Sequence, residues 1–160
     1  MRIKGLKDED FVNYKKPSMF ISTAICDWKC CTEQKLDKSL CQNSELAKAA
    51  TLDYSMEKIY ERYIANPITS AVVIGGLEPF LQLSEVYELI KLFRESGCND
   101  DIVIYTGYYP NEIKKEIARL QDLPNIIIKY GRYIPNSTEH FDNVLGIKLV
   151  SDNQYAERIS

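Results

Sequence analysis

The sequence predicts an α/β fold whose mainly parallel sheet stays open or closes only part of a (β/α) barrel. Three observations carry that expectation. Short β-branched runs alternate with segments of helical period, the pattern of βαβ units with right-handed crossovers. Four such runs stand out and a fifth follows near the C-terminus, too few for a closed eight-unit barrel of about 250 residues. No repeat, low-complexity tract or linker divides the chain, so residues 1–160 read as a single domain able to bury a core of its own.

Met19-Phe-Ile-Ser-Thr-Ala-Ile25 follows Pro17 and reads as the first strand, because proline is tolerated at the start of a strand and not in its middle. From Cys26 to Ser44 no period holds and Lys, Asp, Gln and Asn are frequent, which predicts a long functional loop. Ser55 is placed to cap a helix running to about Ala65, with Met56, Ile59, Tyr60 and Tyr63 at helical spacing and Pro67 beyond its end. Ser70-Ala-Val-Val-Ile74 is the second strand and ends at Gly75-Gly76. Leu83, Val86, Leu89, Ile90 and Phe93 mark the next helix, which Gly97 terminates, and Asp101-Ile-Val-Ile-Tyr105 is the third strand. A helix begins near Pro110 and carries Ile113, Ile117 and Leu120. Pro124 precedes a fourth strand, Asn125-Ile-Ile-Ile-Lys129, and Val144–Val150 is the expected fifth.

Charged residues make up 27% of the chain and the net charge of −3 is spread without long runs, which does not suit binding to a nucleic-acid backbone. The N-terminal residues lack a signal-peptide apolar region, and no stretch approaches the roughly 20 apolar residues of a membrane span. The expected location is the cytoplasm. Four of the five cysteines, Cys26, Cys30, Cys31 and Cys41, fall within sixteen residues, and in a reducing compartment that reads as metal or redox chemistry. His140 is the one histidine and reads as a surface loop residue. A metal site must therefore be nearly all thiolate, which suits zinc or iron–sulfur.

Function in a parallel sheet gathers at the carboxyl ends of the strands. Those ends carry the cysteine segment, Gly75-Gly-Leu-Glu-Pro79 and Thr106-Gly-Tyr108. A four-thiolate zinc knot is one reading, although zinc knots pair their cysteines and this segment offers C-x3-C, an adjacent Cys and a lone Cys41. A [4Fe-4S] cluster held by three thiolates, with one iron open to a small ligand, is the other. Cys31 is expected to point away from Cys30 as a bystander, and a register that uses it in place of Cys30 stays open. Cys98 reads as a small, partly buried apolar residue. The pair Asp100-Asp101 reads as a solvated turn, and Trp28 as an anchor or shield of the cysteine segment.

Cys26-Asp-Trp-Lys-Cys30, Cys41-Gln-Asn43 and Val72-Val-Ile-Gly-Gly-Leu-Glu-Pro79 resemble the cluster loop and the Gly-Gly-Glu-Pro strand end of radical S-adenosylmethionine enzymes. Within that superfamily the sequence is most similar to the activating proteins of anaerobic ribonucleoside-triphosphate reductases. The likeness continues at Ile104-Tyr-Thr-Gly-Tyr108, Gly131-Arg-Tyr133 and Ser151-Asp-Asn-Gln154, and spans residues 17–156. It departs in the ten residues between Cys30 and Cys41, where the family has C-x2-C, in Leu40 at a commonly aromatic position, and in Tyr130 at an often acidic one.

The resemblance implies a shortened radical-enzyme core with a [4Fe-4S] cluster on Cys26, Cys30 and Cys41, in a loop of about 26–43. It also implies that S-adenosylmethionine lies against Gly75, Gly76 and Glu78 by its methionyl amine and against Thr106 and Tyr108 by its adenosyl part. Asn153 and Gln154 either hydrogen-bond this cofactor or cap the last strand. The implied activity is reductive cleavage to a 5′-deoxyadenosyl radical that generates a glycyl radical on a partner, the anaerobic ribonucleotide reductase, with an electron donor such as flavodoxin. A small-molecule radical synthase and a non-catalytic zinc or iron–sulfur module are the alternatives.

Overall fold

The computed structural model describes all 160 residues. In chain order they form strands β1 (Arg2–Asp10) and β2 (Ser18–Thr23), helices α1 (Lys29–Gln34) and α2 (Ser44–Lys48), and the short strand β3 (Leu52–Asp53). Helix α3 (Met56–Ala65), strand β4 (Ala71–Gly76), helix α4 (Leu83–Glu95), strand β5 (Asp101–Tyr105), helix α5 (Lys114–Leu120) and strand β6 (Ile126–Tyr130) follow. Strands β7 (His140–Asp142), β8 (Ile147–Leu149) and β9 (Tyr155–Arg158) complete the chain. No helix is long and apolar enough to cross a membrane.

One seven-stranded sheet runs in the order β3-β1-β2-β4-β5-β6-β9 and does not close. Its centre, β2-β4-β5-β6, is parallel and comprises the four runs read from the sequence. Antiparallel strands flank that centre, β1 beside β2 and β9 beside β6. The fifth strand expected at Val144–Val150 is not part of this sheet. Only Ile147–Leu149 is extended, and it pairs with β7 in a separate hairpin, because Gly146 turns the chain at φ 71 and donates to the Asp142 carbonyl at 2.8 Å.

Both faces of the sheet are covered, which is why its central strands read as continuous apolar runs. Side chains alternate between the faces. Val72, Ile74, Ile102, Ile104, Ile126 and Ile128 pack with Ile59, Val86, Leu89, Phe93 and Leu120 of the helices. Val73, Val103 and Ile127 point the other way and meet Tyr14, Leu145 and Leu149. Ser55 caps α3, its hydroxyl accepting from the Lys58 amide at 3.2 Å. Gly97, at φ 84, ends α4 in the left-handed conformation that suits glycine after a helix. Helix α5 starts at Lys114, after a 3-10 turn over Pro110–Glu112.

Two further expectations change. Asp101 is buried rather than solvated and accepts from Lys16 at 2.6 Å, Arg158 at 2.7 Å and the Tyr14 hydroxyl at 3.0 Å. These bonds tie β5 to β9 and to the 11–16 turn. The cysteine segment is not a plain loop: α1 lies between Trp28 at φ 61 and Lys35 at φ 54. Two left-handed residues thus bracket a helix too short for its period to show in the sequence.

Candidate metal centre

A cavity of about 300 Å³ opens at the carboxyl ends of β4, β5 and β6. Its wall brings together Cys26, Cys30, Cys41, Gly76, Glu78, Thr106 and Gln154 of the sequence-derived candidates, and adds Gly107, Lys129 and Tyr133. Three candidates stand back from it. Gly75 is a packing glycine, since a Cβ there would lie 3.2 Å from the Tyr105 Cβ and 3.3 Å from Phe20. The Tyr108 hydroxyl donates to Asp27 at 2.6 Å, steadying the cysteine segment. The Asn153 amide donates to the Tyr109 hydroxyl at 2.9 Å and the Arg132 carbonyl at 3.0 Å.

All five cysteines are free thiols. The amide of Trp28 donates to Cys26 Sγ at 3.3 Å and that of Asn43 to Cys41 Sγ at 3.4 Å. Cys26 and Cys41 thus each have an amide donor two residues further along the chain, and such bonds are among the levers that set cluster potentials. Cys31 differs. Consecutive helical residues point about 100° apart, and Cys31 is buried beside Cys41, off the cavity wall. Burial pushes the Cys26 thiol up to about 12 and those of Cys30 and Cys31 upward as well. Metal binding must displace those protons, because the thiolate is the ligand.

No three His, Cys, Asp or Glu side chains converge to hold a single ion. A structural zinc would gather four ligands about one point, with its thiolates at about 2.3 Å, whereas the thiolates of a cluster bind separate irons. The donors fit the cluster: three thiols line one cavity, and no carboxylate or imidazole set competes for a metal. Space is kept for Cys30 by Gly107, where a Cβ would lie 2.9 Å from its sulfur. Gly76, at φ 80, lets β4 end against Ser22, whose Cα would stand 3.0 Å from an added Cβ.

Glu78 is buried and accepts from Thr106 Oγ1 at 2.8 Å, the Gly107 amide at 2.9 Å and the Phe80 amide at 3.1 Å. Burial pushes its carboxyl up to about 7 against those three bonds. Across the cavity Lys129 is also buried. Desolvation pulls its ammonium down to about 8, while Cys30 and Glu78 act to hold it up. The sequence reading took Lys129 only as a strand end, although a lysine following three isoleucines in a buried strand is a signal in itself.

Arg132, which enters the sequence analysis only within the Gly131-Arg-Tyr133 likeness, clamps the cysteine helix in place. Its guanidinium donates to Glu112 at 2.6 and 2.7 Å, to Glu33 of α1 at 2.9 Å and to the Gly107 carbonyl at 2.7 Å. These bonds, chiefly from Arg132 and then from Lys29, hold the Glu112 carboxyl well below its usual range. Gln34 of α1 adds bonds to the Cys30 carbonyl at 3.0 Å and the Tyr133 carbonyl at 2.7 Å.

An open, mainly parallel α/β sheet with thiols gathered at its carboxyl edge defines a metal- or cluster-binding domain. A family model described as a 4Fe-4S single cluster domain matches residues 17–154, and the chain belongs to that family. The curated proteins and the solved structures gave no match.

Proposed function

We propose that the chain is a radical S-adenosylmethionine enzyme, with Cys26, Cys30 and Cys41 ligating a [4Fe-4S] cluster that has one open iron. The observation that carries this reading is that three cysteines, two of them accepting from backbone amides, line one cavity with Gly76 and Glu78. Held by Cys26, Cys30 and Cys41, a cluster would supply the one-electron reductive cleavage of S-adenosylmethionine to methionine and a 5′-deoxyadenosyl radical, which would take hydrogen from a glycine of the partner. The chain's own residues bind and orient. Glu78, held by three donors, offers a fixed carboxyl to the methionyl amine, and Gly76 lets backbone approach the cofactor closely. Thr106 and Gln154 line the remaining wall.

The cavity is at the small end of ligand pockets and is bordered by the exposed Val12 and Val150. A loop of a protein partner suits that opening better than a second metabolite. The partner in this reading is a glycyl radical enzyme, the anaerobic ribonucleoside-triphosphate reductase. A flavodoxin-like donor supplies the electron, and the setting is cytoplasmic. One observation favours a second reading, a cluster module without cleavage: Leu40 is 57% exposed where an aromatic residue would cover adenine.

The test is to reconstitute the protein anaerobically, reduce it with dithionite and assay 5′-deoxyadenosine after adding S-adenosylmethionine. Its formation, followed by a glycyl-radical doublet when the reductase is added, supports activation. An intact, reducible cluster that yields no 5′-deoxyadenosine leaves the non-catalytic module.

A further inference from the structure

Lys129 is next to last in β6, on the face shared with Ile127, and is 7% exposed. Lys129 lines the cavity together with Cys30 and Glu78, and its ammonium stands 5.7 Å from the centre of the Tyr105 ring. Only one of its three donors is used within the chain, in a long bond of 3.3 Å to the Gly131 carbonyl. Burying a charge is costly unless it is paired, so this site is built around a counter-charge that the polypeptide does not itself complete. Glu78 is already engaged by three neutral donors, the Phe80 and Gly107 amides and the Thr106 hydroxyl. The other negative group that faces Lys129 is Cys30 once it is a metal-bound thiolate.

A [4Fe-4S] core with three thiolates carries a net charge of about −1 when oxidised and gains one more negative charge on reduction, with no bond made or broken. A positive charge fixed on a buried side chain beside the cluster stabilises the more negative state. We propose that Lys129 is the counter-charge of the cluster, a positioning residue that raises the potential at which the cluster accepts its electron. This inference rests on the proposed ligation by Cys30. It assigns Lys129 to the cluster rather than to a second ligand.

The test is mediated redox titration of anaerobically reconstituted protein, followed by electron paramagnetic resonance without S-adenosylmethionine, in wild type, Lys129→Met and Lys129→Arg. Methionine keeps the length of the side chain and removes its charge, and arginine restores the charge. At the wild-type midpoint the reduced-to-oxidised ratio of Lys129→Met is expected to fall at least tenfold, about 59 mV for one electron. Lys129→Arg is expected to stay near wild type, all three proteins having equal iron content. An unchanged midpoint in Lys129→Met overturns the assignment, and so does a midpoint that holds while affinity for S-adenosylmethionine falls. If Lys129→Met loads less iron, Lys129→Gln takes its place in the titration under the same criteria. A wild-type protein that assembles no cluster overturns the proposed function along with it, whereas a cluster indifferent to Lys129 overturns only this inference.

Discussion

Replacing Gly107 by alanine separates the cluster from the fold that holds it. The φ at Gly107 is not positive, so alanine brings no backbone strain, and its amide can still donate to Glu78. The added Cβ would stand 2.9 Å from Cys30 Sγ and 3.7 Å from Glu78 Oε2. Optimal contacts between such atoms lie at about 3.5–4.0 Å, so the sulfur must retreat by more than about half an ångström or turn about χ1. In the metal-free protein either adjustment costs about 1 kcal/mol, which lowers the melting temperature by about 2–4 °C. A metal–ligand distance tolerates only about ±0.2 Å, so in the proposed ligation a displaced Cys30 falls out of reach of an iron. Thermal melts of the metal-free protein, with iron and sulfide assays after reconstitution, check this. A small change in melting alongside a severalfold loss of bound iron is expected. Gly5→Ala, where nothing lies within 4 Å of the added Cβ, is the control. A full set of irons in Gly107→Ala with an unchanged spectrum would refute the reasoning.

Three further outcomes are expected. Cys30→Ala abolishes the reconstituted cluster and Cys31→Ala keeps it, read as iron content; the reverse pattern moves the middle ligand to Cys31. Arg132→Met leaves Glu33 and Glu112 without their shared partner, which costs about 2 kcal/mol and about 4–8 °C in a melt; a change under 1 °C would mean the clamp contributes nothing. For Asp101, burial raises the carboxyl, but the bonds from Lys16, Arg158 and Tyr14 outweigh it and hold it at about 2 rather than 3.8. Its contribution is thus present above pH 4 and is lost as pH falls toward 2. It amounts to about 1–2 kcal/mol once screening of its half-exposed partners is allowed for. Urea midpoints of metal-free wild type should fall across that window more steeply than those of Asp101→Asn, and parallel curves would contradict this.

The parallel centre of the sheet was legible because each of its strands is a β-branched run buried on both faces. Its flanks were not. In β1 only Ile3 and Asp10 are buried among nine mostly charged or polar residues, and register shifts at Ile3/Gly5 and Lys7/Asp10 interrupt its alternation. In β9 only Ala156 is buried. Val144–Val150 alternates like a strand, yet the Asp142–Gly146 turn leaves three of its residues to pair. At the site, the cysteines and Gly75-Gly76-Leu77-Glu78 stood out through chemistry carried by the residues themselves. Gly107, Lys129 and Arg132 lie in segments the sequence marks, but their roles were not legible, since those come from contacts made only in the folded chain: Gly107 against Cys30, Lys129 on the cavity wall with Glu78, Arg132 against Glu33.

The most direct test of the open-iron account is electron paramagnetic resonance of the reconstituted, dithionite-reduced protein before and after adding S-adenosylmethionine. A cluster signal that changes shape and g-values on addition is the expected result, because the cofactor's amino and carboxylate groups bind the iron that no cysteine holds. A colourless protein retaining one zinc, or a cluster signal that S-adenosylmethionine leaves untouched, would contradict it.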